Sequence, residues 1–117
     1  MIRKANEMRQ ETLTAMRGGQ GDVQITHILE RGKDEFRNKG RLYAKNVLKP
    51  GVSVGLHEHV GDFEAYYILS GEGTVDDNGT KSLLETGDLV LTRNGESHSI
   101  ENTGDTDLVF MALILFD

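Results

Sequence analysis

His57 and His59 stand two apart in a chain with only four histidines, and Glu64 follows five residues after His59. On an extended strand, side chains two apart project to one face, so both imidazoles point the same way. The odd offset of Glu64 would throw it to the opposite face if the strand ran unbroken. Gly61-Asp62 is a turn signal, and a hairpin tip near residues 60–63 would return the chain and let Glu64 point inward beside the two rings. Two neutral nitrogen donors and one carboxylate meeting at a point form the ligand set of a divalent transition-metal site with open positions. A fourth candidate, His98, lies where Ser97, Ser99 and Glu101 alternate with His98 and Ile100, the pattern of a half-buried strand.

These residues need a scaffold, and the totals limit what it can be. At 117 residues the chain suits one domain that closes one core without a metal or disulfide staple. It has no cysteine, which excludes a disulfide framework and a thiolate metal site, so any metal must be held by nitrogen and oxygen. A formal charge of -6 argues against a nucleic-acid partner, which requires a basic surface. The start, MIRKANEMRQ, has no apolar leader, and the longest apolar run, residues 108–116, is too short to span a bilayer. The expectation is a soluble cytoplasmic protein with no membrane partner.

Fourteen glycines against one proline, with Asx-Gly and Gly-Asp pairs spread along the chain, point to short strands joined by tight turns, an all-β protein. The expected strands cover 23–29, 41–50, 52–59, 64–69, 72–76, 80–84, 88–92, 97–101 and 107–116, with a primed turn at Asp77-Asn78-Gly79. Residues 3–17 hold good helix formers, with Ala5, Met8, Thr12 and Met16 on one stripe and Gly18-Gly19 to stop them. They predict a helix or arm, so that 1–21 form an N-terminal arm and Gly-rich linker and 22–117 a single domain. Residues 30–40 are polar and aperiodic, a surface loop or lid with Phe36 as its large apolar anchor. The last strand is apolar on both faces, which predicts a homodimer covering its outer side.

Two segments match a known pattern. The first reads Gly51, five residues, His57, one residue, His59, four residues, Glu64, six residues, Gly71; the second reads Gly87, five residues, Arg93, then Gly95, His98 and Asn102. In this the chain resembles the small single-domain cupins, double-stranded β-helix or jelly-roll barrels whose two motifs supply metal ligands. The motifs occupy 37 of the 117 residues, and 15 residues separate them. Arg93 departs from the family's usual proline; it falls in a turn, where it is either a solvated residue or an arginine holding an anionic substrate.

The resemblance implies that His57, His59, Glu64 and His98 are the metal ligands, with Glu58 between the two histidines pointing away. Three imidazoles and one carboxylate do not select among Mn, Fe, Co, Ni, Cu and Zn. They leave about two octahedral positions for a small oxygen-rich ligand. Tyr66 shares parity with Glu64 and is the first candidate for proton transfer, followed by Tyr43 and His27, each of which can equally be a packing residue. No second carboxylate can be placed at the barrel mouth. The expected function is a small metal-dependent enzyme (isomerase, lyase, decarboxylase or dioxygenase) acting on a small oxygen-rich metabolite such as a sugar or keto acid. The alternative is a non-catalytic binder or sensor of a small molecule with a structural metal.

Overall fold

Apolar residues at every second position, interrupted by glycine turns, fold into ten strands in the computed structural model, which describes residues 1–117. They are β1 (Gln10–Thr14), β2 (Asp22–His27), β3 (Gly40–Leu48), β4 (Ser53–Glu58), β5 (Asp62–Ser70), β6 (Gly73–Asp77), β7 (Thr80–Leu84), β8 (Leu89–Thr92), β9 (Ser97–Glu101) and β10 (Leu108–Phe116). A six-stranded sheet in the order β1-β2-β3-β10-β5-β8 faces a four-stranded sheet in the order β4-β9-β6-β7, and every pairing is antiparallel. This is a jelly-roll architecture: the turn spacing predicts its all-β class, and the family resemblance predicts the barrel.

The core lies between the sheets. Val23, Leu48, Ile68, Leu108 and Phe110 are fully buried from the larger sheet, and Val54, Val75 and Ile100 meet them from the smaller one. Burying a side chain of the size of Phe110 is worth about 1.5–3 kcal/mol. Asn102 adds a polar staple: its amide donates to the carbonyls of Leu48 and Thr106, both at 2.8 Å, and its own carbonyl accepts from the Gly104 amide at 2.9 Å. That role explains an asparagine at the end of the second motif.

The N-terminal helix is not formed. Residues 3–17 carry a single 3₁₀ turn at Ala5–Glu7, then strand β1, then a second 3₁₀ turn at Met16–Gly18. The apparent helical stripe was coincidental, since Glu11 and Leu13 alternate with exposed Gln10, Thr12 and Thr14. Thr12-Leu13-Thr14 is a β-favouring run, and pairing with β2 supplies the hydrogen bonds that decide between the two forms. In the loop at 30–40, Phe36 is the buried anchor.

Beyond β1 the chain turns through two non-glycine residues in the left-handed region, Ala15 (φ 51°) and Arg17 (φ 54°), and crosses onto β4. Gly19 and Gly55 make the crossing possible. A methyl on Gly19 would drive into the Ser53 carbonyl, and one on Gly55 into the Arg17 carbonyl. The Ser53 amide donates to the Gln20 carbonyl at 2.9 Å and secures the contact. This segment is therefore strapped over the strand that carries the first histidine.

Candidate metal centre

β4 delivers His57, the residue just past its end is His59, and the break at 60–61 lets β5 begin at Asp62 and point Glu64 inward. β9 pairs with β4 so that His98 lies directly across from His57, after a register shift between Val54 and His57. The hairpin inferred from Gly61-Asp62 thus brings the three residues of the first segment together, and the second sheet pairing brings the fourth. Glu58 is exposed and points away.

The Nε2 of His59 lies 3.1 Å from Glu64 Oε1 and 3.2 Å from His98 Nε2, and His98 Nε2 lies 3.0 Å from both Glu64 Oε1 and His57 Nε2. All four donor atoms lie within 4.8 Å of one another, and the group can hold a metal ion. Adjacent ligands on an octahedral ion with bonds of ~2.1 Å stand about 3.0 Å apart, which these separations match.

Each imidazole has its other nitrogen committed outward. His57 Nδ1 donates to the Gly55 carbonyl at 2.8 Å, His59 Nδ1 to Asp62 Oδ1 at 2.7 Å, and His98 Nδ1 is hydrogen-bonded to the buried Thr92 hydroxyl at 2.7 Å. Such outer partners set the tautomer and turn the Nε2 lone pairs toward the centre. Protons can satisfy these close approaches only pair by pair. A cation satisfies all four groups at once, so the donor set fits a divalent metal.

The charges follow from burial. Burial pushes the Glu64 carboxyl up, but hydrogen bonds with His59 and His98 outweigh it and bring it down to about 2, so the group is a carboxylate. The hydrogen bond with Glu64 raises His59 despite burial, while burial lowers His57. Asp62 is pushed up by burial and pulled below the usual range by hydrogen bonds from Arg41 and His59. Complete burial, reinforced by the Glu64 charge, lifts the Tyr66 phenol well above its ordinary value, so it remains an O–H donor.

A cavity of about 190 Å³ opens on this cluster, lined by His57, His59 and Glu64 and also by Glu11, Arg17, His27, Arg41, Asn46 and Tyr66 among its polar residues. Tyr66 and His27 therefore face the cavity; Tyr66 stacks on His98 with ring centroids 4.8 Å apart. Tyr43 does not reach it. It shares the outward parity of Lys45 and Val47 on β3, opposite Leu113 of β10, while Ala44, Asn46 and Leu48 face in. Arg93 is exposed in its turn, 3.7 Å from Glu96, and does not line the cavity either.

Sequence reasoning missed Glu11, Arg17 and Arg41. Glu11 is the second carboxylate that could not be placed, and its Oε1 lies 2.7 Å from His27 Nε2. It went unseen because β1 was read as a helix; the Thr-Leu-Thr run was the available signal. Arg41 donates to Asp62 at 2.9 Å, and no local pattern marks a contact across 21 residues.

The family model described as the cupin domain matches residues 46–114. The chain is a cupin. An oxalate-binding protein of Thermotoga maritima is 50% identical to this cupin over 115 residues, covering 98% of this chain and 93% of the relative. The crystal structure of a predicted oxalate decarboxylase from Thermotoga maritima superposes with a TM-score of 0.93 at 49% identity, over the whole of both chains. The cupin domain of Schizosaccharomyces pombe Cnp3 shares the fold at 13% identity, with a TM-score of 0.73 over 92% of this chain and 69% of that one. No helix of this cupin is long and apolar enough to cross a membrane.

Proposed function

We propose that His57, His59, Glu64 and His98 hold a divalent transition metal and that the protein binds a small dicarboxylate of the oxalate kind on it. The observation that carries this reading is the convergence of three outward-anchored imidazoles and a carboxylate at octahedral spacing on the floor of the cavity. Names of two relatives at about half identity over nearly the whole chain support the ligand class. The cavity volume, about 190 Å³, is below the ~300–1,000 Å³ of drug-sized sites, which suits a ligand of few heavy atoms.

A bound divalent ion supplies two-point attachment for carboxylate oxygens and polarises them. The chain supplies the remainder. Tyr66, held protonated by its burial, donates toward charge that builds on the ligand. Leu13, Ile25, Leu42 and Phe110 give the cavity its apolar lining. The Glu11–His27 pair favours a second reading, in which oxalate is decarboxylated to formate and carbon dioxide and this pair shuttles the proton. Half of the cavity lining is apolar, and the titratable Glu11 and His27 beyond the ligand set favour an enzyme over a plugged binder.

Homodimerisation is part of the same proposal. The outer face of β3, β10 and β5 presents Val47, Val109, Met111, Leu113, Tyr67 and Leu69, with Lys45 as its charged residue. A nearly uncharged face lets two copies of a chain of net charge -6 meet without like-charge repulsion.

Calorimetric titration of the metal-loaded protein with oxalate tests the function. Saturable heat near one site per chain is expected, and none would reject oxalate as the ligand class. Release of formate then separates catalysis from binding.

A further inference from the structure

We propose that Arg17, held over the cavity by the N-terminal strap, is the anion-binding group that grips the carboxylate oxygens of a small dicarboxylate that do not reach the metal. This rests on the metal-centre reading and names the residue that would select a doubly charged ligand there.

The charges around the cavity single out Arg17. Glu11 is held by His27 at 2.7 Å, Glu64 by His59 and His98, and Arg41 by Asp62 at 2.9 Å. Arg17 lines the same cavity and pairs with no carboxylate of the chain. In a chain of net charge -6, a cation left unpaired beside a cluster of imidazoles attracts an anion from outside.

The backbone keeps it there. Arg17 adopts a left-handed conformation (φ 54°, ψ 29°), which costs a non-glycine residue about 1–2 kcal/mol. Ala15 on the same strap does likewise. The strain is sustained by the close crossing of Gly19 and Gly55, which admits no side chain at either position. Gly55 lies two residues before His57, so the strap fixes Arg17 relative to the first ligand of the centre. Strain of this kind, maintained by surrounding contacts, concentrates where a side chain must be aimed.

The ligand chemistry follows. A two-carbon dicarboxylate that meets a metal through one oxygen of each carboxylate leaves two oxygens side by side at its outer edge. A guanidinium presents parallel N–H donors at matching spacing, which a lysine ammonium does not. A monoanionic chelator such as glycolate lacks the second outer oxygen and half the charge.

The test compares wild type, Arg17→Gln and Arg17→Lys, each loaded with Mn(II), by metal analysis and by calorimetric titration with oxalate and with glycolate. Arg17 is exposed and packs no core, so all three are expected to fold and to carry equal metal. Arg17→Gln is expected to weaken oxalate about tenfold to a hundredfold, the loss of a charged hydrogen bond, and glycolate less than about threefold. Arg17→Lys should recover part of the oxalate loss. Oxalate affinity within about twofold of wild type in Arg17→Gln, or equal weakening of both ligands, would overturn the proposal. A wild-type protein that takes up no manganese would remove it as well, and the metal analysis would show that the centre itself had failed.

Discussion

Replacing Glu64 by glutamine keeps shape and removes the one negative charge among the four converging groups. Its side chain is only 4% exposed, so the change is felt at the cluster and hardly elsewhere. A metal at a hundred times its dissociation constant stabilises the fold by about 2.7 kcal/mol. For 117 residues the entropy of unfolding is about 0.25 kcal/mol/K, so wild type should melt about 11 °C higher with metal than in chelator. If losing the carboxylate weakens the metal a hundredfold, the same metal concentration sits at the variant's dissociation constant and gives about 0.4 kcal/mol, or under ~2 °C. In chelator the two proteins should melt close together, because His59 can release its proton when Glu64 becomes neutral. Differential scanning fluorimetry with and without Mn(II) reads both numbers. A variant that gains as many degrees as wild type would refute the reasoning, since the stabilising cation would then sit elsewhere.

Asp62→Asn weakens the acceptor that His59 Nδ1 and Arg41 share, and should lower metal affinity about 10- to 100-fold in a chelator competition; unchanged affinity would free His59 from that dependence. The hydrogen bond from Arg3 brings the Glu35 carboxyl down to about 2. Its contribution is therefore full above the unfolded value of about 4.3 and is lost as pH falls toward the folded one. Arg3→Met should accordingly show a melting deficit at pH 6 that shrinks by pH 2.5, and a deficit independent of pH would contradict the pairing. Met111→Lys places a charge in the middle of the apolar outer face and should reduce a two-chain mass to one chain in light scattering; an unchanged mass would locate any dimer contact on another surface.

The strands were legible because their signals are local. Period-two alternation in 108–116 and 97–101 and the turns at Gly61, Gly79 and Gly95 each act within a few residues. The four converging side chains were legible for a related reason, since one turn and one strand pairing suffice to assemble them. The N-terminal segment was not. Its methionine and alanine spacing fits a helix, and only pairing with β2 makes it a strand. With that misreading went Glu11 and Arg17, two of the charged residues that distinguish this cavity. Asp62 was read as a turn residue, although it also orients His59 and anchors Arg41. Tyr43 was assigned to the site without a fixed register on β3, and the pairing with β10 turns it outward.

The most direct measurement is the metal content of the purified protein after incubation with Mn(II) and removal of excess, alongside His98→Ala. About one equivalent per chain in wild type, and a loss of most of it in the variant, is the expected result. Less than about a tenth of an equivalent in wild type, or full content in His98→Ala, would contradict a metal centre built from these four side chains.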